Sequence, residues 1–308
     1  MDRDERQAWN RGRDSTSAGF EECQPASPEF PPPIGRLLLH PEPAGPDGLC
    51  LSVDPESAGW KFVTFHAYRL VPGQRVERAA DDQERLVLVL EGSASVRVGD
   101  TDFGVVRSRA SVFDGPPPPV ILIEPGLPVT LVAVTEPLVA IAAAPGGPVR
   151  RTALIEPADI FVESRGVGQT TRRIHHLLPP GTEAGRLIAF EVYTPGGNWS
   201  SYPPHKHDTE NPPLEARLEE LYFYRFAQPT GFAVQRVYTA DRTLDETVTA
   251  TDGDVVLVPR GYHVVGAAAG YDTYYLNVMA GPNRAWHFTV DPDHAWLMNW
   301  DPAAPQAS

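Results

Sequence analysis

The sequence predicts an all-β protein made of two similar halves, each a β-sandwich or barrel. Three observations carry that expectation. Pro (33) and Gly (26) are abundant among the 308 residues, which suits many short strands joined by turns. Apolar residues fall in short alternating or continuous runs that end on turn residues, and no long 3.6-residue period is seen in the first half. The order of runs and turns is similar in both halves, as in an internal duplication.

Taken in order, residues 1–33 are polar and charged and run into Pro-Pro-Pro, which reads as a flexible extension. Residues 34–150 read as the first β unit. Lys61 to Tyr68 is a strand, and Glu84 to Gly92 followed by Ser93 to Gly99 reads as a hairpin. Asp114-Gly115 and four prolines break the chain before Val120–Ile123, and Pro128–Val134 and Leu138–Ala144 are further strands. Pro145-Gly146-Gly147-Pro148 marks a domain break, and 151–182 is expected to be a connector. It contains Arg172-Arg173-Ile174-His175-His176, whose adjacent histidines would face opposite ways on a strand and so not share a metal. The second β unit, 183–290, holds runs at Leu187–Thr194, Glu219–Tyr224, Phe232–Thr239, Thr247–Ala250, Val255–Pro259 and Tyr274–Met279. Residues 291–308 form a tail.

Composition narrows the function. A net charge of -14 argues against sequence-independent binding to nucleic acid or an anionic membrane. Cys23 and Cys50 lack metal or redox spacing and are expected as reduced thiols. The N-terminus has no apolar signal core and no run is long enough to span a bilayer, so a cytoplasmic protein is expected.

The chemistry concentrates in Ser200–Tyr224. His205 and His207 project to one face of a strand while Lys206 projects away, a solvent or interface lysine. Glu220 opens a strand that also carries Tyr222 and Tyr224, and Gly253–His263 ends in a tight Pro259-Arg260-Gly261-Tyr262-His263 bend. A lone His-x-His is a weak signal. Three imidazoles and a carboxylate together suit one divalent transition metal, Zn or Mn first, with Fe, Co or Ni also accommodated, and leave positions open for a substrate. Glu210 is the rival carboxylate, and Glu219 would point outward by alternation.

His-x-His, a following Glu and a later Pro-x-Gly…His resemble the two-part signature of the cupins, small double-stranded β-helix (jelly-roll) barrels. Two departures stand out. Thirteen positions separate His207 from Glu220 where three or four are usual, and the second motif is one residue short. By position in its strand, Glu220 resembles the cupin glutamate better than Glu210. NWSSYPPHKHD, LEELYFYRF, QRVYT, DGDVVLVPRGYH, GYDTYYLNVMAGP and DPDHAW resemble the 5-deoxy-glucuronate isomerases of myo-inositol catabolism, themselves similar to the 5-keto-4-deoxyuronate isomerases. The resemblance implies a bicupin with one metal site, in the C-terminal barrel. The first barrel has no His-x-His, only Glu84 at the head of its hairpin strand, and is expected to be structural.

The resemblance further implies an aldose–ketose isomerisation of a sugar acid, with the metal as Lewis acid and template. Tyr222 and Tyr224 are then candidates for proton transfer. The substrate carboxylate calls for an arginine fork, Arg236 in preference to Arg260, with Tyr262 and Tyr275 as further pocket residues. A cupin dioxygenase or oxidase on the same ligands, and a non-catalytic sugar-acid binder, are the alternatives. Exposed strand edges and Ala295–Trp300 make a homo-oligomer expected.

Overall fold

The apolar runs form 22 strands among the described residues, which in this computed structural model are 37–147, 151–179, 181–300 and 302. The extension expected over 1–33, with Cys23, lies outside them. The first half contains β1 (Leu38–Leu39), β2 (Leu49–Val53), one helical turn α1 (Pro55–Ala58), β3 (Thr64–Arg69), β4 (Arg75–Arg78), β5 (Gln83–Glu91), β6 (Ser93–Val98), β7 (Thr101–Arg107), β8 (Val120–Ile123), β9 (Val129–Ala133) and β10 (Leu138–Pro145). Then come β11 (Ala153–Ile155), β12 (Phe161–Arg165) and β13 (Arg172–His176). The second half contains β14 (Ile188–Thr194), β15 (Trp199–Lys206), β16 (Glu219–Phe226), β17 (Ala233–Tyr238), β18 (Asp245–Ala250), β19 (Val255–Val258), β20 (Tyr262–Ala267), β21 (Thr273–Ala280) and β22 (Thr289–Val290). No helix among the described residues is long and apolar enough to cross a membrane.

Each half is a pair of antiparallel sheets. The first pairs β11-β8-β5-β10-β3-β2 with β4-β9-β6-β7, and the second pairs β1-β19-β16-β21-β14-β13-β12 with β18-β17-β20-β15-β22. Without the edge strands the orders correspond: β8-β5-β10-β3 to β19-β16-β21-β14, and β4-β9-β6-β7 to β15-β20-β17-β18. Each interior is apolar. Val87, Val96 and Leu131 are buried together in one, and Phe190, Tyr222 and Val265 in the other. A third cluster joins Leu86, Leu88 and Ala140 of the first half to Leu221, Phe223 and Leu276 of the second. The large sheets thus bury both faces. That is why β5 reads as a continuous apolar run and not as an alternation.

Strand pairing cuts across the domain bounds expected from the sequence. β1 precedes the first barrel yet pairs with β19 of the second (Leu38↔Val256). β11 follows the first barrel and returns to it, pairing with β8. Residues 151–182 are therefore not a plain connector: β12 and β13 extend the second barrel's large sheet through β14. These strands are three to five residues long with mixed burial, too short for a legible period.

Two buried carboxylates accept backbone donors across the junction between the barrels. Glu84 accepts the backbone N–H groups of Gly185, Arg186 and Leu187, just before β14. Glu219 accepts those of Lys61, Phe62 and Val63, just before β3, at 2.7, 2.8 and 3.0 Å. Glu219 does point out of its own barrel, but into the junction, where it is 1% exposed. Truncating either acid strands three donors at the junction. Glu84→Ala or Glu219→Ala should therefore lower stability by about 3 kcal/mol or more, read as a shifted urea midpoint; a loss under about 1 kcal/mol would show the staples to be dispensable.

Candidate metal centre and its cavity

β15 and β20 lie side by side with His205 opposite His263. β16 enters between β19 and β21 with Glu220 opposite Val258 and Met279. Period two sends Glu220 inward where Glu219 goes outward. The bend before His263 requires glycine. Gly261 has φ +87, and a Cβ there would meet Tyr238 O at 2.4 Å. Lys206 points away, as expected, and its ammonium bonds Asp208 at 2.7 Å and Glu215 at 2.8 Å.

The three imidazoles offer nitrogens that lie within 4.8 Å of one another. Each Nδ1 donates to a backbone carbonyl: His205 to Pro203 at 3.0 Å, His207 to Leu218 at 3.2 Å, His263 to Gly261 at 3.3 Å. That fixes one tautomer and leaves each Nε2 as the donor atom, an arrangement typical of metal ligands. Glu220 Oε2 lies 2.9 Å from His207 Nε2 and 3.0 Å from His263 Nε2, while Oε1 accepts from Asn277 at 2.6 Å. His263 Nε2 is fully buried with no aligned hydrogen bond. Nitrogens held facing a carboxylate this closely are satisfied by a shared cation, so the residues present fit a divalent transition metal.

The electrostatics agree. Burial, then His263 and His207, hold the His205 imidazole well below its ordinary value, in the neutral form that ligates. Burial opposes ionisation of Glu220, but His263 and His207 hold its carboxyl well below the usual range. Burial also disfavours charge on His207, and Glu220 outweighs it and raises that imidazole. Glu210 is exposed and accepts from the Arg217 N–H and from Asn283. Glu220, not Glu210, stands among the imidazoles.

A cavity of about 330 Å³ opens on this centre, with His205, Glu220, Tyr222, Tyr275 and Asn277 on its wall. Ser201 has φ 50, a left-handed conformation rare for a side-chain-bearing residue. Its Oγ lies 3.0 Å from Tyr222 OH and 3.5 Å from Tyr275 OH. Phe190, Val192 and Trp286 form an apolar flank, and Leu297, Met298 and Trp300 approach from the C-terminal turn. Arg172 also lines the cavity. Its guanidinium donates to the carbonyls of Thr170 (2.9 Å) and Tyr202 (3.3 Å) and has no carboxylate partner among the described residues. Burial lowers its pKa to about 10.

Three expected site residues lie elsewhere. Alternation along β17 sends Gln235 inward and Arg236 outward, where Arg236 grips Asp245 through two 2.8 Å bonds on the surface. Tyr262 lies on the far side of β20 from the cavity, packed on Tyr238 with ring centroids 5.5 Å apart. Tyr224 is stacked beneath Tyr222, its hydroxyl donating to Gln235, and does not reach the cavity wall. Arg172, Asn277 and Ser201 take their places. No local signal singled out Arg172: it and Ile174 share a face of β13 and line the cavity only once that strand is paired in the sheet. His175 and His176 bond Glu191 and Glu163, outside the centre.

Over residues 38–297 the chain matches the KduI/IolB family. The 5-deoxy-glucuronate isomerase of Geobacillus thermodenitrificans (strain NG80-2) is 44% identical over 273 residues, which cover 89% of this chain and 100% of that one. The enzyme of the same name from Shouchella clausii (strain KSM-K16) is 39% identical over 270 residues, covering 86% and 100%. A solved IolB-like protein from Salmonella typhimurium LT2 has a TM-score of 0.82 at 40% identity, covering 86% and 100%. The oxalate decarboxylase of Lactobacillus farciminis, at TM-score 0.58 and 12% identity over 87% and 91%, shares the double-barrel cupin fold alone.

Metal content tests the centre. His205→Ala and His263→Ala should each lose the ion, and Asn277→Leu, which frees Glu220, should weaken it about 10- to 100-fold, by elemental analysis and chelator competition. Undiminished metal in the double alanine variant would remove the site.

Proposed function

The chain belongs to the KduI/IolB family, and from that premise we propose that it is a metal-dependent isomerase converting 5-deoxy-D-glucuronate to 5-dehydro-2-deoxy-D-gluconate in myo-inositol catabolism. The observation that carries the reading is that the His205–His207–Glu220–His263 donor set meets, through His205 and Glu220, the same cavity that the buried Arg172 lines. A sugar acid needs both: a cation for its reacting oxygens and a fork for its carboxylate.

The reaction breaks the C2–H bond, forms a C1–H bond and moves the O2 proton to O1, without net oxidation. The four donors would hold a divalent ion, which when bound would supply Lewis-acid polarisation of the carbonyl end. Arg172 anchors the carboxylate and fixes which end of the substrate meets the donor set. Tyr222, linked through Ser201 to Tyr275, forms a chain of hydroxyls able to hold and pass a proton at O1 and O2. Asn277 holds Glu220 in place. Phe190, Trp286 and the C-terminal turn shield the reacting carbons from water. The free thiol of Cys50, buried and hydrogen-bonded to Ala67 O, suits the reducing cytoplasm, where the reading places the reaction.

An NMR assay with 5-deoxy-D-glucuronate tests this directly. Turnover should need the metal, proceed without oxygen and give the ketose alone. Arg172→Gln should raise KM about tenfold or more with a smaller effect on kcat, since an unpaired carboxylate is a binding loss. Tyr222→Phe should lower kcat by about 100-fold with KM little changed. No conversion by metal-loaded protein, or dependence on oxygen, would reject the isomerase.

A further inference from the structure

The strand registers locate, in the first barrel, the counterparts of Glu220, His263 and His205 of the second. Glu84 and Glu219 perform the same stapling role, so the next residue inward on β5 is Arg85 where β16 has Glu220. Near the start of β6 and of β17 a buried alanine faces another alanine, Ala94↔Ala133 and Ala233↔Ala267. Four residues on, Val98 faces Val129 as Val237 faces His263. Val129 then pairs with Arg78 on β4, as His263 pairs with His205 on β15. By the same counting, His66, opposite Ile141, stands where Phe190 faces Asn277. Two arginines thus occupy the places of His205 and Glu220.

A second cavity, of about 160 Å³, lies at this place, lined by Thr64, His66, Arg78, Gln83, Arg85 and the apolar Ile141. Arg85 is 3% exposed and held by Asp81 and the carbonyls of Ala79 and Leu127. Arg78 donates to Tyr68 OH, and its Nε is buried without a hydrogen-bond partner. Asp81 is the one acid on the wall, so two guanidiniums leave an excess positive charge. Burial, and then Arg78, lower the His66 pKa to about 4, leaving a neutral imidazole that can share a hydrogen bond with a hydroxyl.

We propose that the N-terminal barrel is a binding site for a small oxyanion, a carboxylate or a phosphate, gripped by Arg78 and Arg85 where the C-terminal barrel has metal donors. The protein's own cations replace a metal ion, so binding there is metal-independent. The cavity admits a ligand of only a few carbons. Thr64 and Gln83 offer polar contacts to a hydroxyl beside the acid group.

Methyl NMR separates the two sites, because Ile141 lines this cavity and Ile174 the other. Full-length protein is titrated with inorganic phosphate and, separately, with D-glycerate. A saturable shift of Ile141, retained in His205→Ala and weakened at least tenfold in Arg78→Gln, is expected. Arg78→Lys keeps the charge but not the fork, and should fall between. Response to phosphate alone or to glycerate alone assigns the source; either supports the site. No saturable shift of Ile141 with either probe, or full affinity in both Arg78 variants, overturns it. The outcome is independent of turnover and of metal at the other centre, so this site and the isomerase reading stand or fall separately.

Discussion

Two consecutive glutamates on β16 face opposite ways, and the organisation of the molecule rests on that opposition. Glu219 accepts three backbone N–H groups of the other barrel, while Glu220 faces the imidazoles. A buried carboxylate is tolerated only when its charge is met by donors or cations. Here one residue is met by protein amides and its neighbour by imidazoles. A register slip of one residue in β16 would exchange them and lose both. The junction therefore fixes where Glu220 points, and the apolar sheets packed around it keep that register.

The same coupling explains the long insertion before Glu220. Lys206, Asp208 and Glu215 tie its ends together, and Glu215 also accepts the N–H groups of Asp208 and Thr209 and the hydroxyl of Thr289. Leu218 then exchanges hydrogen bonds with His207, its N–H donating to the backbone carbonyl at 2.8 Å and its carbonyl accepting from Nδ1. The loop that departs most from the familiar cupin spacing braces His207 from behind. Asp208 also accepts the Gly261 N–H, connecting the loop to the bend that carries His263.

What the sequence revealed, and what it hid, follows from which contacts are local. His205, His207 and His263 were legible because period two and a Gly-shaped bend are properties of short stretches. Glu220 was legible because it heads a recognisable aromatic strand. Arg172 was hidden because its place at the cavity depends on β13 pairing with β14. Gln235 and Arg236 show the limit of alternation: it says that only one of the two faces inward, and parity is set by the neighbouring β20. The edge strands β1 and β11 were missed because a few residues carry too little pattern to announce a distant partner.

Those edge strands have a consequence for how the chain comes into being. Leu38 and Leu39 leave the ribosome before any of the first barrel, yet their partners Val256 and Val255 are among the last strands made. β1 must wait, unpaired, while an entire barrel condenses beside it, a contact of very high sequence separation. β11, by contrast, closes the first barrel soon after its last strand. A gene split near residue 150 would give a first piece carrying a strand that belongs to the second. Two barrels of one topology are thus made inseparable by a strand of two residues.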